Sequence, residues 1–332
     1  MGKYLIFLII FTVFVTSDAF CLTYKKEELK YKDHLKDKML YVLVTLDGSY
    51  RTDKWEEIIK LSEENINATV YISAVYFLNE EEKYRYICPF NAKISGISNV
   101  GFGSTKELTD ERIGLVKKAQ KQGVSIQSHL NGHFEGSSKW SNQMWDLEFK
   151  QYFLFTQFLE QKSQHIRFPY LEYNYDVYDV FEKYGIRSIV STITQPYVDG
   201  IYTKISVMDD EKVRYFFYEF PISFVKYNKC KTIMMDYNFF VKDKKEQLPE
   251  RQIMRNVEKL YLKQAKHCFK NNMPLFISHH FFMDGNEAYW KSLKNITVKL
   301  KKIYKNKIKF ITIDELYNIL STSDSIMSEE KS

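Results

Sequence analysis

The sequence alternates short apolar runs with amphipathic helical stretches, and this alternation is its most constraining feature. An apolar run at residues 39–46 precedes a helical pattern at 52–64, and a second apolar run follows at 68–73. Strands separated by helices of this length indicate parallel βα units. The pattern continues to residue 320 without an internal repeat or a linker. It predicts one α/β domain, an irregular (β/α) barrel of about seven strands.

The other elements are predicted by the same periodicities. Residues 75–105 are irregular in composition and are predicted to form a long surface insertion, and residues 195–230 are predicted to be irregular and aromatic. The helix that starts at Thr109 is expected to use its Thr-Asp-Glu-Arg sequence as a cap. Further helices are predicted at 140–160, 175–184, 251–270, 287–305 and 314–320, and further strands at 124–128, 166–168, 188–192, 232–235, 274–278 and 308–311.

The N-terminus is typical of a secretory signal peptide. Lys3 precedes an apolar stretch at residues 4–15, and small residues near Ala19 suit cleavage. A membrane anchor is the competing interpretation, but a span needs about 20 apolar residues and this run is shorter. We predict a signal peptide at 1–19, a lead-in at 20–38, the main domain at 39–321 and a disordered tail at 322–332. The mature chain is therefore expected to be exported, without stable membrane insertion.

Composition narrows the possible partners. The chain is 45% hydrophobic and 27% charged, which is typical of a globular protein. Its net charge of +6 is spread along the sequence, with modest concentrations at residues 25–38 and 291–309. No aromatic-interleaved basic motif predicts nucleic-acid binding, and attraction to an anionic polymer stays open. The four cysteines, which allow three pairings and lack the spacing of a structural zinc site, are Cys21, Cys88, Cys230 and Cys268.

Four of the seven histidines lie in two short motifs. The first, S-H-L-N-G-H, contains His129 and His133, and the second, I-S-H-H, ends an apolar run with His279 and His280. Residues four apart on a helical turn share a face, so the first pair suits one metal ion. Asp47, which closes the first apolar run, would be the third ligand beside His129 and His133. Three protein ligands leave coordination positions of the metal open for water and substrate. They predict a Zn²⁺ site, which Co²⁺ or Ni²⁺ would also fit.

The order of these motifs resembles that of the polysaccharide deacetylases, the NodB-type family of carbohydrate esterases. That family carries F-D-D-G, A-T-F-F, H-S/T-x-x-H, R-x-P-Y/F and a late strand ending in histidine. The sequence looks closest to a bacterial-type branch with F-D-G-S and S-H-x-N-G-H-F motifs. The counterparts here, in the same order, are Leu46-Asp47-Gly48, Ala68-Thr69-Val70-Tyr71, His129 with His133, Arg167-Phe168-Pro169-Tyr170 and Ile277-Ser278-His279.

The resemblance implies roles for the remaining motif residues. Arg167 would orient the catalytic carboxylate, and the backbone N–H of Tyr170 would help to hold the oxyanion. His279 or His280 would protonate the leaving amine, and register favours His279 because it directly follows the apolar run. Asp236 closes a predicted strand, so we predict that it acts as base or as partner of the catalytic histidine. A strand-end aspartate that caps the next turn is the rival interpretation.

One departure from the family pattern concerns catalysis. The family has two consecutive aspartates, a general base and then a metal ligand, whereas this chain has Leu46 followed by Asp47. Alignment on Gly48 makes Asp47 the ligand and puts leucine at the base position, and the usual spacing to Ala68 favours it. Alignment on Thr45 instead makes Asp47 the base and leaves the metal one ligand short. Loss of a general base costs about 10²–10⁴ in rate.

The resemblance implies a hydrolase that is secreted, periplasmic or cell-wall associated. It would be a metal-dependent deacetylase acting on an N-acetylated polysaccharide: peptidoglycan, chitin or a related poly-N-acetylglucosamine. The alternative is a weak or inactive homologue that binds wall polysaccharide. Trp290 is the expected substrate contact among several aromatic residues near the motifs that could stack on sugar rings, namely Trp140, Trp145, Tyr170, Tyr173, Tyr237, Phe281 and Trp290.

Overall fold

A computed structural model describes residues 23–35, 37–191, 200–281 and 287–329. The predicted signal peptide and Cys21 lie outside these ranges. Within them the chain forms twelve strands and nine α-helices. The strands are β1 (Thr23–Lys30), β2 (Leu40–Asp47), β3 (Ala68–Ile72), β4 (Ser125–Ser128), β5 (His165–Ile166), β6 (Ser188–Ser191), β7 (Ile201–Asp209), β8 (Lys212–Pro221), β9 (Phe224–Tyr227), β10 (Cys230–Ile233), β11 (Leu275–His280) and β12 (Ile308–Phe310). The helices are α1 (Tyr31–His34), α2 (Thr52–Glu63), α3 (Lys106–Lys121), α4 (Asn142–Phe155), α5 (Tyr178–Tyr184), α6 (Asp236–Lys245), α7 (Glu250–Asn271), α8 (Glu287–Tyr304) and α9 (Ile313–Glu329).

Ten strands form one mixed sheet in the order β1-β7-β8-β6-β5-β4-β3-β2-β11, with β12 also paired to β2. Neighbouring strands pair in parallel along the path β8-β6-β5-β4-β3-β2-β11, whereas β1 with β7 and β7 with β8 pair antiparallel. Helices connect the parallel strands, so the predicted α/β class is confirmed. The strand pairs of the described residues form an open path rather than a closed ring.

The prediction that residues 195–230 are irregular is wrong for the part that the structure describes. This segment forms the antiparallel hairpin of β7 and β8, in which Tyr202, Phe217 and Tyr218 are fully buried. Aromatic side chains favour strands because they pack well on a pleated surface, and here they cover the sheet. The hairpin also incorporates the predicted lead-in, since β1 pairs with β7 along its whole length.

The predicted disordered tail is also corrected. Helix α9 passes residue 322 and continues to Glu329. The Asp324 carboxylate accepts hydrogen bonds from Lys204 Nζ at 2.5 Å and from Tyr218 Oη at 3.0 Å. These contacts hold the last turns of the helix against β7 and β8. A polar composition therefore did not prevent order, because the acidic residue has partners on the sheet.

The predicted insertion at residues 75–105 contains only short 3-10 turns and one isolated bridge, as its composition suggested. It is not confined to the surface, because Phe77, Tyr86 and Cys88 are buried. The helix that follows begins at Lys106 rather than Thr109, and its cap is Thr105, whose hydroxyl accepts from the N–H of Leu108. The cap lies four residues earlier than predicted.

Two further sequence expectations concern cysteines and membranes. No disulfide joins any two of the three cysteines that the structure describes, Cys88, Cys230 and Cys268. Cys88 and Cys268 are buried and Cys230 is exposed. Among the described helices, none combines the length and the apolar character that a membrane span requires.

Candidate active site

The neighbouring strands β2 and β11 bring the predicted acidic and histidine residues together. They pair in parallel, with His280 opposite Asp47 and Ser278 opposite Thr45. Successive side chains of a strand point to opposite faces, so these four residues share one face of the sheet. A contact of 3.0 Å between the hydroxyls of Thr45 and Ser278 agrees with this arrangement. Asp47 and His280 thus lie side by side where both strands end.

Arg167 contacts Asp47 and orients its carboxylate. Its Nη1 atom donates to Asp47 Oδ1 at 2.8 Å, and its Nη2 atom donates to Thr45 Oγ1 at 2.9 Å. The guanidinium is fully buried and stands 4.5 Å from the ring centroid of Tyr71. A buried charge of this kind requires a partner, because an unpaired charge loses its hydration without compensation. Arg167 and Asp47 therefore hold each other in place.

His129 is oriented through the backbone of the same arginine. Its Nδ1 atom lies 2.6 Å from the carbonyl oxygen of Arg167. Since a carbonyl only accepts, Nδ1 must carry the proton, and the Nε2 atom then keeps its lone pair. Burial lowers the pKa of His129, and burial together with the His129 ring lowers the pKa of His133 to about 3. Both imidazoles are neutral near pH 7, which is the form that binds metals.

The two histidines lie on a loop rather than on the predicted helical turn. Leu130 and His133 have φ angles of 59° and 54°, in the left-handed region that non-glycine residues rarely adopt. Glu148 of α4 stabilises this loop, because its Oε1 atom accepts hydrogen bonds from the backbone N–H groups of Asn131 and Gly132. The loop brings the two imidazole centroids to 5.1 Å from each other.

His280 is held by the other predicted aspartate. Its Nδ1 atom lies 2.6 Å from Asp236 Oδ1, and its backbone N–H donates to Asp236 Oδ2 at 3.0 Å. Burial alone would lower the pKa of His280, but the charge of Asp236 and its hydrogen bond outweigh burial and raise this pKa. The remaining ring nitrogen, Nε2, lies 3.9 Å from Asp47 Oδ2. Asp236, predicted from its position alone, therefore contacts the histidine motif.

The sequence-based preference for His279 over His280 is corrected by the geometry. His279 is fully buried and lies on the opposite face of β11, where its ring stacks on Tyr261 at 6.1 Å between centroids. Its nearest charged neighbour is Asp236 at 3.6 Å, and neither ring nitrogen makes a hydrogen bond to the described residues. Leu46 pairs with His279 in register and faces the same way. His280 is the histidine that faces Asp47.

The donor chemistry of the predicted metal ligands fits zinc, but their arrangement is looser than predicted. Asp47 supplies a carboxylate, and His129 and His133 supply neutral imidazoles, which are ligands that zinc prefers. Across the described ranges, no three histidine, cysteine, aspartate or glutamate side chains are grouped closely enough to hold a metal ion. A three-ligand site at Asp47, His129 and His133 therefore stays a prediction.

The aromatic residues near the motifs divide into a buried group and an exposed pair. Trp290, the expected substrate contact, is 2% exposed and belongs to the core, so this expectation is wrong. Tyr170 and Tyr237 are 48% and 52% exposed, and they stand 4.7 Å from the His133 ring and 6.0 Å from the His280 ring. The other buried members are Trp140, Trp145, Tyr173 and Phe281.

Comparison with known proteins finds a similar family and a similar fold. Residues 34–189 match the family model described as polysaccharide deacetylase. These residues, a little under half of the chain, are therefore similar to a polysaccharide deacetylase domain. A solved structure from Mycobacterium smegmatis, assigned to the polysaccharide deacetylases, shares the fold with a TM-score of 0.54 at 9% identity, over 87% of this chain and 92% of that one. A search of the curated proteins finds no match.

Two further solved structures are similar at lower scores. The peptidoglycan deacetylase PdaC from Bacillus subtilis has a TM-score of 0.47 at 10% identity, covering 89% of this chain and 98% of its own. A CE4 family pseudoenzyme from Bacillus anthracis has a TM-score of 0.46 at 11% identity, covering 86% and 66%. The deacetylase model ends within β6, so Asp236 and His280 lie beyond the matched residues.

Three residues of the candidate site were not identified from the sequence. Thr45 and Ser278 each stand two positions before a predicted site residue, and the two-residue repeat of a strand would have placed them on the same face. Glu148 interrupts the apolar face that Trp145 and Tyr152 form on α4. A lone carboxylate in an apolar helical stripe is a usable signal, because such a group needs partners inside the protein.

Proposed function

We propose that this protein is a metal-dependent deacetylase that removes N-acetyl groups from an amino-sugar polymer, either peptidoglycan, chitin or a related poly-N-acetylglucosamine. The observation that carries the proposal is the approach of two anchored side chains across β2 and β11. Asp47 is held by Arg167, His280 is held by Asp236, and their facing atoms are 3.9 Å apart. One cleft thus contains a proton acceptor and a proton donor, which amide hydrolysis needs.

Asp47 is the proposed general base. Its Oδ1 atom is occupied by Arg167, so Oδ2 is the oxygen directed toward His280 and the cleft. In the family pattern the arginine orients the catalytic carboxylate, and here Asp47 is the carboxylate that Arg167 contacts. This contact supports the alignment on Thr45, in which Asp47 is the base, over the alignment on Gly48. Oδ2 would take the proton from the water that attacks the acetyl carbon.

His280 is the proposed general acid. Its raised pKa keeps the imidazolium populated closer to neutral pH, and Asp236 fixes the ring so that Nε2 faces the cleft. From this position Nε2–H would protonate the departing amine. His280 would then be neutral until it regains a proton from solvent, which its 24% exposed side chain allows. The pair His280 and Asp236 therefore resembles the acid and orienting carboxylate of other hydrolases in function.

The proposed metal ligands are His129 and His133, with Asp47 as the third donor in the alternative alignment. The Nδ1–H of His129 donates to a backbone carbonyl, which is the outer contact that metal-bound histidines usually have. When bound, a zinc ion would polarise the acetyl carbonyl as a Lewis acid. Cobalt or nickel would suit the same donors.

A sugar polymer is the proposed substrate because of the exposed tyrosines. Tyr170 and Tyr237 flank His133 and His280, and both side chains are about half exposed. Exposed aromatic rings offer an apolar face to the C–H surface of a sugar and a hydroxyl to its polar rim. We also propose that residues 1–19 export the protein, to act outside the cell, in a periplasm or at a cell wall.

A second candidate function is a binding module for wall polysaccharide with little or no hydrolysis. Leu46 favours it, because the chain has one aspartate where the family pattern has two. The absence of a grouped set of three metal-binding side chains in the described ranges favours it as well. The same cleft and tyrosines would then hold a sugar chain without cleaving its amide.

Acetate release from N-acetylglucosamine oligomers and from peptidoglycan tests the proposal. We expect release with added zinc, loss with a chelator, and a decrease of about 10²–10⁴ for His280→Asn. His267→Asn, which changes an exposed histidine on α7, is the matched control and should keep full activity. Binding of the oligomers without any acetate release, with zinc present, would instead support the binding module.

A further inference from the structure

Helices α7 and α8 both begin near the catalytic edge of the sheet. Helix α7 precedes β11 and α8 follows it, and a helix between parallel strands runs opposite to them. Their N-terminal turns therefore lie at the end of β11 that carries His280. The ion pair between Lys291 of α8 and Glu250 of α7, at 2.6 Å, joins the two helices near these ends.

A groove of about 520 Å³ follows this pair of helices. Arg251, Arg255 and Lys259 line it at intervals of four residues, so they form one row along α7. Met254 and Leu262 supply the apolar part of the lining. From residue 251 to residue 262 a helix rises about 16 Å. The lining of the groove thus follows α7 from its first turn, close to the catalytic edge.

The charge of this groove is not neutralised within the described residues. Its single acidic side chain, Glu258, already pairs with Lys299 and accepts from Asn295 Nδ2 at 2.8 Å. Arg251, Arg255 and Lys259 form no ion pair or hydrogen bond with side chains in the described ranges. Like charges spaced by four residues destabilise a helix. Among the described residues the row has no structural partner, so its positive charge is available to a ligand.

We propose that this cationic groove binds an anionic stretch of polysaccharide, one that carries carboxylate or phosphate groups along its length. Arginine side chains bind either group through two parallel N–H donors, and the lysine adds a point charge. Met254 and Leu262 contact the C–H faces of the sugars between the charges. Because the groove starts at the catalytic edge, a polymer bound here delivers its neighbouring N-acetylated units to the cleft. This last step rests on the proposed deacetylase function, whereas binding in the groove does not.

Binding titrations with the full chain test the groove. The probes are a neutral N-acetylglucosamine hexamer, an oligogalacturonate of similar length as the carboxylate arm, and a short phosphomannan oligosaccharide as the phosphate arm. The test variant is Arg251→Gln/Arg255→Gln/Lys259→Gln. The matched control, Lys60→Gln/Lys117→Gln/Lys118→Gln, removes the same charge from exposed residues of α2 and α3.

We expect at least one anionic probe to bind, with the preferred arm identifying the anion, and its Kd to rise about tenfold in the test variant. The control variant should bind as the unchanged protein does, and added salt should weaken binding. Equal binding of the anionic and neutral probes, or equal weakening in both variants, overturns the proposal. Acetate release from the neutral hexamer should not change in the test variant. If no substrate is hydrolysed at all, the deacetylase proposal fails while the titrations still decide on the groove.

Discussion

The carboxylate of Asp236 binds His280 twice, through the ring Nδ1 at 2.6 Å and through the backbone N–H at 3.0 Å. These two contacts fix both the position of the residue and the rotation of its ring. The adjacent His279, at 3.6 Å from the same aspartate, makes no such bond and stacks on Tyr261 instead. Two consecutive histidines thus have different environments, because neighbouring side chains of a strand face opposite ways.

This difference predicts unequal effects of substituting the two histidines. His280→Asn should lower acetate release by about 10²–10⁴, because it removes the proposed proton donor. His279→Leu should retain activity within a few-fold, since His279 makes no hydrogen bond to the described residues and leucine fills a similar volume. Acetate release and thermal melting of both variants provide the measurement. Equal loss of activity in two folded variants would contradict the assignment of His280.

The pH profile should depend on Asp236. The pKa of His280 is raised in the folded protein, so the protonated acid persists to a higher pH than an ordinary histidine would allow. Asp236→Asn removes the charge that raises this pKa, and the alkaline limb of kcat should therefore move to lower pH. The rate at the optimum should fall as well. A profile that keeps its alkaline limb in this variant would mean that another group is the acid.

Asp47→Asn separates the two alignments of the first motif. If Asp47 is the base, acetate release should fall by about 10²–10⁴ while zinc affinity stays within about tenfold of the original. If Asp47 is a ligand, zinc binding should be lost together with activity. Zinc titration of the apoprotein and acetate release measure the two effects. Asparagine keeps an oxygen for Arg167, so the buried guanidinium retains a hydrogen-bond acceptor.

Arg167 should contribute strongly to stability. The Arg167→Gln variant leaves Asp47 buried without its cation, and we expect the free energy of unfolding to fall by about 3 kcal/mol. Thr45→Val removes only the second hydrogen bond of the arginine and should cost about 1 kcal/mol. Urea unfolding of the two variants gives the comparison. Similar losses in both would argue against a buried ion pair at this position.

The sequence predicted the parallel part of the fold and the meeting of Asp47 with the late histidine motif at neighbouring strand ends. Apolar runs ending in Asp47 and in the histidine motif were sufficient, because parallel strands end at one edge and bring their terminal residues together. The hairpin of β7 and β8 was missed, since its aromatic residues follow no simple alternation and its partner β1 is highly charged.

Long-range contacts account for the remaining errors within the site. The choice between His279 and His280 depends on which of them shares a face of the sheet with Asp47. The register between β2 and β11 sets this, and the order of residues does not contain that information. The loop at His129 also differs from the expected helical turn, because Glu148, from a separate helix, binds its backbone. Both features arise from segments that are far apart in the chain.

Replacement of Gly132, in the loop between His129 and His133, should disturb the position of both histidines. A Cβ atom at Gly132 would overlap the Phe134 ring and the Tyr86 hydroxyl, which themselves lie in the core. Gly132→Ala should therefore displace the loop, weaken zinc binding by about tenfold or more and lower acetate release. Gly114→Ala is the matched control, because a Cβ there meets no atom within 4 Å in the middle of α3.

The control should raise stability by about 0.5–1 kcal/mol, since alanine is the better helix former, and should leave zinc affinity unchanged. Zinc titration, acetate release and urea unfolding of the two alanine variants measure these opposite effects. If Gly132→Ala binds zinc as tightly as the unchanged protein, the loop does not position the two imidazoles for a metal. The pair would then have to act in another way, such as holding a sugar chain beside Tyr170.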